Sequence, residues 1–223
     1  MKQIQSYLDD TYLFHSSSEI IANGSDDNGQ WIMLRDNIFH PQGGGQPADI
    51  GWVNEIPVKV RRHLSGHILL YPESLIQPDV NKEVHSKLSI KDRLNHAALH
   101  TAGHLLNWEM RQYGWIAVAG HHFPGQSRVE FTAMGSSAIT TDQLPLEDIT
   151  LKIQSSMEKG GEVKTWFDGD TRFCLIENTE NMPCAGTHVD NLNKITNFQI
   201  KSVKYKKNTL RISYDAAHLE LGE

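Results

Sequence analysis

The chain has 223 residues, of which 39% are hydrophobic and 22% are charged, and its formal net charge is −6 at pH 7. This acidic balance does not favour a general nucleic-acid binder, so any RNA partner must meet local basic patches. No apolar run approaches the ~18 residues of a membrane span, no hydrophobic signal core opens the sequence, and two cysteines do not make a disulfide framework. We therefore expect a cytoplasmic protein of one large or two modest domains, with reduced thiols and no membrane partner.

The first 85 residues have the pattern of an all-β region. Short strand-like runs at 31–34, 52–53, 58–60 and 66–70 are separated by Gly, Asn, Asp and Pro, which predicts a small barrel of short strands and turns. The most unusual part of this region is the loop that contains Gly43, Gly44, Gly45 and Gln46. Consecutive glycines let the backbone take positive φ or approach a ligand closely, and a flexible hairpin connection is the alternative interpretation.

A long amphipathic helix follows the barrel. Ser89 and Asp92 form a capping signal, and helical periodicity continues to about Tyr113, with Gly114 as its stop. The apolar stripe that we expect to face the core consists of Leu94, Ala97, Ala98, Thr101, Ala102, Leu105 and Leu106. Histidines at 96, 100 and 104 lie beside this stripe, at the expected edge of a pocket. Periodicity leaves open whether a metal-binding pair is formed by the first two or by the last two.

The remainder of the chain mixes strands and one more helix. A β-like stretch at 116–132 contains a turn at 123–126, an amphipathic helix spans about 145–159, and strand patterns follow at 162–167, 195–201, 203–206 and 210–214. The predicted buried face of this helix consists of Leu146, Ile149, Ile153 and Met157. The sequence therefore predicts an α+β protein, with a small N-terminal β-barrel domain at 1–88 and an α/β domain at 89–223 whose helices pack on an antiparallel sheet.

Two short motifs carry metal chemistry. His100 and His104 are spaced i, i+4 within the predicted helix, so their rings project from neighbouring turns of one face. Cys184 and His188 have the same spacing in an irregular segment further along. Three imidazoles and a thiolate together make a ligand set for zinc. The other cysteine, Cys174, is expected to be a small buried residue.

These motifs belong to a longer series that resembles a known family. The stretches at 39–51, 100–106, 127–131 and 184–189 are similar in content and order to the editing domain of alanyl-tRNA synthetase. The chain as a whole resembles a free-standing AlaX-type alanyl-tRNA editing protein of the longer class, which carries a glycine-rich N-terminal barrel. The resemblance implies a zinc-containing hydrolase that deacylates mischarged tRNA(Ala) in trans, chiefly seryl-tRNA(Ala), with glycyl-tRNA(Ala) as a second candidate. The implied partner is the tRNA acceptor end with its attached amino acid.

The resemblance also assigns site residues by position. The zinc ligands of the family fall on His100, His104, Cys184 and His188, which decides the helix pair against His96. The glycine-rich loop, residues 43–46, is expected to face the editing site or the tRNA acceptor end. We also expect this loop to approach the zinc from the other domain, across a cleft near residues 85–92.

Two departures from the family pattern bear on specificity. Gly103 stands where relatives often have threonine in an H-T-A-T-H motif, which should open space beside the metal. Relatives often place a Thr or Gln in the following strand to sense the serine hydroxyl, and this chain instead reads Ala119-Gly120-His121-His122. The sequence therefore leaves open which side chain performs that task.

Four protein ligands normally close a zinc site, so either the coordination changes or other groups perform the chemistry. A general base could orient water, backbone N–H groups of the glycine loop could stabilise an oxyanion, and buried polar groups could recognise the serine hydroxyl. The candidate catalytic residues are His121, Glu130 and Thr187. The candidate substrate-binding residues are Gly43, Gly44, Gly45, Gln46 and Thr101, and Thr101 has the core as its alternative environment.

Two basic clusters are candidates for phosphate contacts, with a solvated face or strand edge as the alternative. The candidate tRNA-binding residues are Arg61, Arg62, Lys204, Lys206 and Lys207. Two other functions compete with the leading interpretation. One is a zinc hydrolase that acts on another small ester or amide, and the other is a non-catalytic tRNA-binding module with a purely structural zinc.

Overall fold

The structure is a computed structural model that describes residues 2–74, 80–135 and 138–221. Within these limits the chain forms two compact units. The first comprises residues 1–43 and 47–94, and the second comprises residues 44–46 and 95–223. The short segment 44–46 therefore belongs to the second unit, although its neighbours on both sides in the sequence belong to the first.

The first unit is built around a closed antiparallel barrel. Its strands are β1 (Ile4–Gln5), β2 (His15–Asp26), β3 (Gly29–Leu34), β4 (Asp36–Asn37), β5 (Gly51–Val53), β6 (Ile56–Arg62), β7 (Ile68–Pro72) and β8 (Glu83–Leu88). Six of them close in the order β2-β3-β7-β6-β5-β8, while β1 and β4 pair in parallel beside them. Alternation along β8 buries Val84, Ser86 and Leu88 and exposes the residues between them, as a sheet with one face on a core requires.

A buried ion pair lies in the first unit. The Arg93 guanidinium makes a two-pronged contact with the Asp49 carboxylate, with Nε 3.0 Å from Oδ1 and Nη2 bonded to Oδ2. Arg93 also donates to the carbonyl oxygens of Thr11 at 2.9 Å and Ile38 at 2.7 Å, and Asp49 accepts the backbone N–H of His40 at 2.6 Å. Both charges are withdrawn from water, so these added hydrogen bonds are what makes the pair tolerable.

The second unit combines helices with two sheets. Its elements are the helix α1 (Ile90–Arg111), which starts in the first unit, β9 (Trp115–His121), β10 (Arg128–Ala133), α2 (Leu146–Lys159), β11 (Val163–Asp168), β12 (Thr171–Ile176), β13 (Met182–Pro183), β14 (Ile195–Lys206) and β15 (Thr209–His218). One sheet has the order β14-β15-β10-β9 and the other β11-β12-β13. Ile149, Ile153 and Met157 of α2 share one hydrophobic core with Val129 and Phe131 of β10.

The predicted elements differ from the observed ones in two informative places. The predicted strands at 195–201 and 203–206 are one strand, β14, whose register against β15 shifts between Ile200 and Ser202. A bulge of this kind interrupts the apolar alternation without ending the strand. Along α1 the expected apolar stripe is buried, but His96 and His100 are buried as well, at 4% and 2% exposure. The middle of the helix is therefore enclosed on more sides than its apolar stripe indicates.

Candidate metal centre and its pocket

Four potential metal ligands converge in the second unit. His100, His104, Cys184 and His188 each offer one donor atom, and these atoms lie within 4.8 Å of one another. The Cys184 sulfur is 3.4 Å from Nε2 of His100 and 3.2 Å from Nε2 of His188. Distances of this order are what a single ion in the middle of the group would bridge. The two motifs singled out in the sequence thus form one cluster.

The first pair of ligands is positioned by α1. His100 and His104 lie one turn apart, with ring centroids separated by 5.0 Å. Nδ1 of His104 is buried and has no hydrogen-bond partner among the described residues. Burial lowers the pKa of His104 to about 4, because a charged imidazole is poorly solvated there. His104 is therefore a neutral ring at physiological pH, which is the form that binds a metal.

The second pair is positioned by a loop that Arg172 holds in place. Nη1 of Arg172 donates to the carbonyl oxygens of Cys184 at 2.9 Å and Gly186 at 2.8 Å. A side chain at Gly186 is excluded, since its Cβ would lie 2.1 Å from Cε1 of His100. Burial raises the pKa of the Cys184 thiol, while the Gly186 N–H and the Arg172 charge act in the opposite direction. Without a cation this thiol is protonated at neutral pH, and a bound cation would release its proton.

Two of the imidazoles are oriented by buried side chains behind them. Nδ1 of His100 lies 2.8 Å from Oε1 of Gln46, an oxygen that can only accept, so Nδ1 carries the proton and Nε2 is directed at Cys184. The Thr101 hydroxyl donates to the Ala97 carbonyl at 2.8 Å, so it accepts from Nδ1 of His188 at 3.1 Å. Partners of this kind fix the tautomer and ring orientation of metal-binding histidines.

Gln46, Thr101 and Thr187 therefore lie behind the cluster. Oε1 of Gln46 also accepts the N–H of Thr187 at 3.0 Å, and its Nε2 donates to Oγ1 of Thr187 at 2.9 Å. All three residues are completely buried. Gln46 and Thr101 are predicted above as substrate contacts and Thr187 as a catalytic residue. Their polar atoms contact protein groups, since Gln46 bonds Thr187 and His100 and Thr101 bonds His188.

The residues of the cluster fit a metal ion. Imidazole nitrogens and a thiolate match a borderline-soft divalent cation of the zinc type. The unpartnered Nδ1 of His104 is a buried polar atom, and such atoms normally have a partner. His100, His104, Cys184 and His188 are thus a candidate metal centre by donor chemistry as well as by geometry.

A pocket of about 330 Å³ opens beside the cluster. It is lined by His100, His104 and Cys184 and otherwise mainly by small or apolar residues, namely Gly44, Gly103, Ala117, Val118, Ala119, Gly120, Val129, Met182, Pro183 and Ala185, together with Asn107 and His122. The His122 ring stacks on His100 with a centroid distance of 4.5 Å and an interplanar angle of 19°. Burial lowers the pKa of His122 to about 3, so its ring is neutral.

His121 and Glu130 are not among the residues that line this pocket. Gly120 and His122 line the pocket and His121 between them does not; the His121 ring stacks on Phe123 at 4.2 Å. Glu130 lies next to the pocket-lining Val129 on β10, and its carboxylate contacts Arg211 at 2.6 Å and Arg128 at 3.8 Å. A carboxylate that pairs with arginines in this way typically has a structural role.

The three glycines of the loop have different surroundings. Gly44 and Gly45 have positive φ, 57° and 79°, where side chains are disfavoured. A Cβ on Gly45 would lie 2.3 Å from the Gly120 carbonyl oxygen, and the Gly45 carbonyl accepts the His122 N–H at 2.7 Å. Gly44 lines the pocket, whereas a Cβ on Gly43 would meet nothing closer than 4.0 Å. The close approach that the glycines allow is therefore an approach to the protein's own strand β9.

The five basic candidates are at or near the surface of their units. Arg61 and Arg62 lie on β6 and line a groove of about 960 Å³ in the first unit, together with Lys59 and His63. Nη2 of Arg62 also donates to the Tyr7 hydroxyl at 3.1 Å. In the second unit Lys204 lines a smaller basic groove with Arg128 and Arg211, and Lys206 and Lys207 lie at the adjoining hairpin turn.

Sequence reasoning missed three residues that shape the site. Arg172 holds the loop that contains Cys184. It lies in β12, and the alternation of that strand gives no indication of this role. Tyr214 was predicted only as part of a strand. No role was predicted for its hydroxyl, which contacts Nδ1 of His122. His122 lies just beyond the end of β9, and the sequence carried no signal that separated it from His121.

Similar proteins were found among curated sequences, although no family-level sequence profile matches the chain. Alanyl-tRNA editing protein AlaX-M of Pyrococcus horikoshii is 31% identical over 197 residues, which cover 85% of this chain and 86% of that protein. AlaX-L of the same organism is 23% identical over 241 residues, covering 95% and 57%. Alanyl-tRNA editing protein Aarsd1 of Danio rerio is 27% identical over 210 residues, covering 84% and 49%.

The chain thus spans most of AlaX-M but only about half of Aarsd1. No described helix has the length and apolar character that crossing a membrane needs. Identity of 31% along nearly the whole of both chains agrees with the motif order at 39–51, 100–106, 127–131 and 184–189. This protein therefore belongs to the AlaX-type alanyl-tRNA editing proteins.

Proposed function

We propose that this protein deacylates mischarged tRNA(Ala) in trans, chiefly seryl-tRNA(Ala), with glycyl-tRNA(Ala) as a second substrate. The observation that carries the proposal is the four-donor cluster beside a pocket of about 330 Å³ whose other walls are mainly glycine, alanine and valine. Because these walls are small and uncharged, they leave space beside the cluster for an aminoacyl group. The names of the relatives, which are alanyl-tRNA editing proteins, supply the substrate class.

The metal that we propose is zinc, held by His100, His104, Cys184 and His188. When bound, zinc supplies a Lewis acid and a fixed positive charge beside the ester carbonyl. The chain's own residues prepare the site for it. Gln46 and Thr101 hold the tautomers of the ligand histidines, and burial keeps His104 neutral.

The ester itself is oriented by the pocket walls. The Gly44 backbone lines the pocket, and we assign its N–H the role of a donor to the carbonyl oxygen as negative charge develops there. Glu130 and His121 take no part in this scheme, because neither lines the pocket.

The tRNA would be bound through local basic groups, since the net charge of −6 opposes general attraction to RNA. Arg61 and Arg62 of the barrel and Lys204, Lys206 and Lys207 of the second unit are our candidates. We assign tRNA contacts to the barrel domain, 1–88, as well as to the domain at 89–223. Each phosphate contact releases counterions, so binding should weaken steeply with salt.

The decisive experiment is a deacylation assay of purified protein on seryl-, glycyl- and alanyl-tRNA(Ala). We expect rapid loss of the seryl ester, slower loss of the glycyl ester and survival of the alanyl ester. Equal cleavage of alanyl-tRNA(Ala) would contradict an editing function. Equal cleavage of free serine esters would favour a small-ester hydrolase, and tRNA binding without turnover would favour a non-catalytic module.

The role of the basic groups has its own control. Charge reversal of Arg61 and Arg62, or of Lys206 and Lys207, should raise KM for seryl-tRNA(Ala) and reduce the salt dependence, while the metal stays bound. Lys152→Glu combined with Lys159→Glu, at two exposed positions of α2, changes the net charge by the same amount without touching either cluster. If all three variants behave alike, the effect is one of net charge and the assigned surface is wrong.

A further inference from the structure

The tautomer of His122 follows from its hydrogen bonds. The Tyr214 hydroxyl donates its single proton to the Leu99 carbonyl at 2.7 Å. The contact of 2.6 Å between this hydroxyl and Nδ1 of His122 must therefore be donated by the histidine. Nδ1 carries the ring proton, and Nε2 is left with a lone pair. Within the described residues, His122 makes no other side-chain hydrogen bond.

Nε2 of His122 is the acceptor that the pocket walls offer. Beyond the metal cluster, Asn107 and His122 are the two lining residues with nitrogen or oxygen atoms in their side chains. Oδ1 of Asn107 already accepts the Ala117 N–H at 2.9 Å, and its amide nitrogen lies 3.5 Å from the Met182 sulfur. Among these two residues, Nε2 of His122 is thus the acceptor that carries no hydrogen bond from the described residues.

The position of the His122 ring depends on two glycines. A Cβ on Gly103 would lie 2.5 Å from Cε1 of His122 and 2.7 Å from the Tyr214 hydroxyl oxygen. A Cβ on Gly120 would lie 2.5 Å from Nε2 of His122. The space that Gly103 leaves beside the ligand histidines is therefore filled by this imidazole. The His122 ring can occupy this position only because residue 103 has no Cβ.

We propose that His122 is the specificity-determining residue of the pocket, and that its Nε2 accepts a hydrogen bond from the hydroxyl of a seryl group. The inference rests on the proposed function and names the group that selects serine. Tyr214 is a positioning residue, because it acts through the proton on Nδ1. A substrate without a hydroxyl leaves Nε2 of His122, a residue that is only 4% exposed, without this partner, which is how such sites discriminate.

Two substitutions separate the two ring nitrogens. His122→Asn keeps a donor close to the position of Nδ1, for Tyr214, and removes the acceptor at Nε2. His122→Gln extends far enough to place an amide oxygen near Nε2. We expect His122→Asn to lower the ratio of kcat/KM for seryl- over glycyl-tRNA(Ala) by about 10- to 100-fold, and His122→Gln to recover a large part of it. His121→Asn, which alters the neighbouring ring outside the pocket, should leave the ratio within about twofold of the parent.

Binding of non-hydrolysable analogues provides a second readout. With 3′-seryl- and 3′-glycyl-amino-3′-deoxyadenosine, calorimetry should show the preference for the seryl compound falling in His122→Asn and returning in His122→Gln. Metal content should stay at the parent level in both variants. A parent with no seryl-tRNA(Ala) deacylase activity would refute the proposed function and this inference with it. A parent that is active, beside a His122→Asn variant with the parent ratio, would overturn the inference alone.

Discussion

Both units bury polar groups, and they do so in opposite ways. In the first unit Arg93 and Asp49 pair with each other, and two further guanidinium protons go to the carbonyl oxygens of Thr11 and Ile38. In the second unit three imidazoles and a thiol converge, and Nδ1 of His104 has no partner among the described residues. The first arrangement joins opposite charges, whereas the second gathers donors of one kind that could hold a cation.

The difference separates a structural polar cluster from a binding site. Burial of a polar group is unfavourable unless it is hydrogen-bonded, and burial of an unpaired charge is more so. The Arg93 cluster meets this requirement with protein groups alone. In the donor cluster, Gln46 and Thr101 provide hydrogen bonds to Nδ1 of His100 and Nδ1 of His188. The other ring nitrogens of these two histidines face the Cys184 sulfur. The four changes below test this contrast, in order of decreasing expected effect.

Loss of a ligand should have the largest effect. Cys184→Ala removes the thiolate, and we expect purified protein to fall from about one zinc per chain to a small fraction of that, because structural zinc contributes ~10–16 kcal/mol of binding free energy. Elemental analysis after dialysis measures this. The matched variant Cys174→Ala, at the other cysteine, which is buried, should retain the metal. Full occupancy in Cys184→Ala would remove that residue from the site.

Breaking the ion pair should come next. Arg93→Met preserves most of the side-chain volume and leaves Asp49 buried without its partner, so the free energy of unfolding should fall by about 3–5 kcal/mol. Urea denaturation measures the loss. Arg35→Met breaks the exposed pair with Glu19, at 2.8 Å, and should lose less than about 1 kcal/mol. Similar losses in the two variants would show that the Arg93 cluster is not a buried structural pair.

Removal of an outer partner should weaken the site without abolishing it. Gln46→Ala takes away the acceptor behind His100, and we expect zinc affinity to fall about 10- to 100-fold, as is typical for such partners. Competition with a coloured chelator measures the change. Gln42→Ala, an exposed residue of the same loop, is the control. An unchanged affinity in Gln46→Ala would mean that His100 is oriented by other contacts.

The smallest effect concerns pH and the buried His40 of the first unit. Burial lowers its pKa to about 4 from 6.5, so the folded protein binds this proton less readily than the unfolded chain. The contribution of neutral His40 to the free energy of unfolding is complete above pH 6.5. It is lost as pH falls towards 4, with a slope of at most about 1.4 kcal/mol per pH unit. Urea titrations from pH 7 to pH 4.5 should show a shallower decline in His40→Gln, and parallel curves would contradict the assignment.

A histidine pair on α1 and the pair Cys184 and His188 could be recognised from residue type and local spacing, and the family resemblance decided the helix pair against His96. His100 and His104 share a helix face, and Cys184 and His188 repeat the same interval. The contacts behind them could not be recognised. Gln46 lies 54 residues from His100, and Asp49 lies 44 residues from Arg93. No periodicity links such distant positions, and only the folded chain brings them together.

Strand register explains the remaining differences. The sequence favoured His121 as a general base, and the pocket contains His122 instead. The pairing of β9 with β10 shifts between Glu130 and Phe131, so inward and outward faces cannot be counted from one end of the hairpin. The same kind of shift made β14 look like two strands. Bulges change side-chain direction without a strong composition signal.

The segment 44–46 makes the second unit discontinuous along the chain. A shortened protein beginning at residue 95 would keep every metal donor, yet it would lack Gln46, which fixes the His100 tautomer, and the Gly45 carbonyl, which anchors the His122 backbone. Any recombination or gene-fusion event that separates the two halves at the helix would therefore leave the ligands present but loosely held.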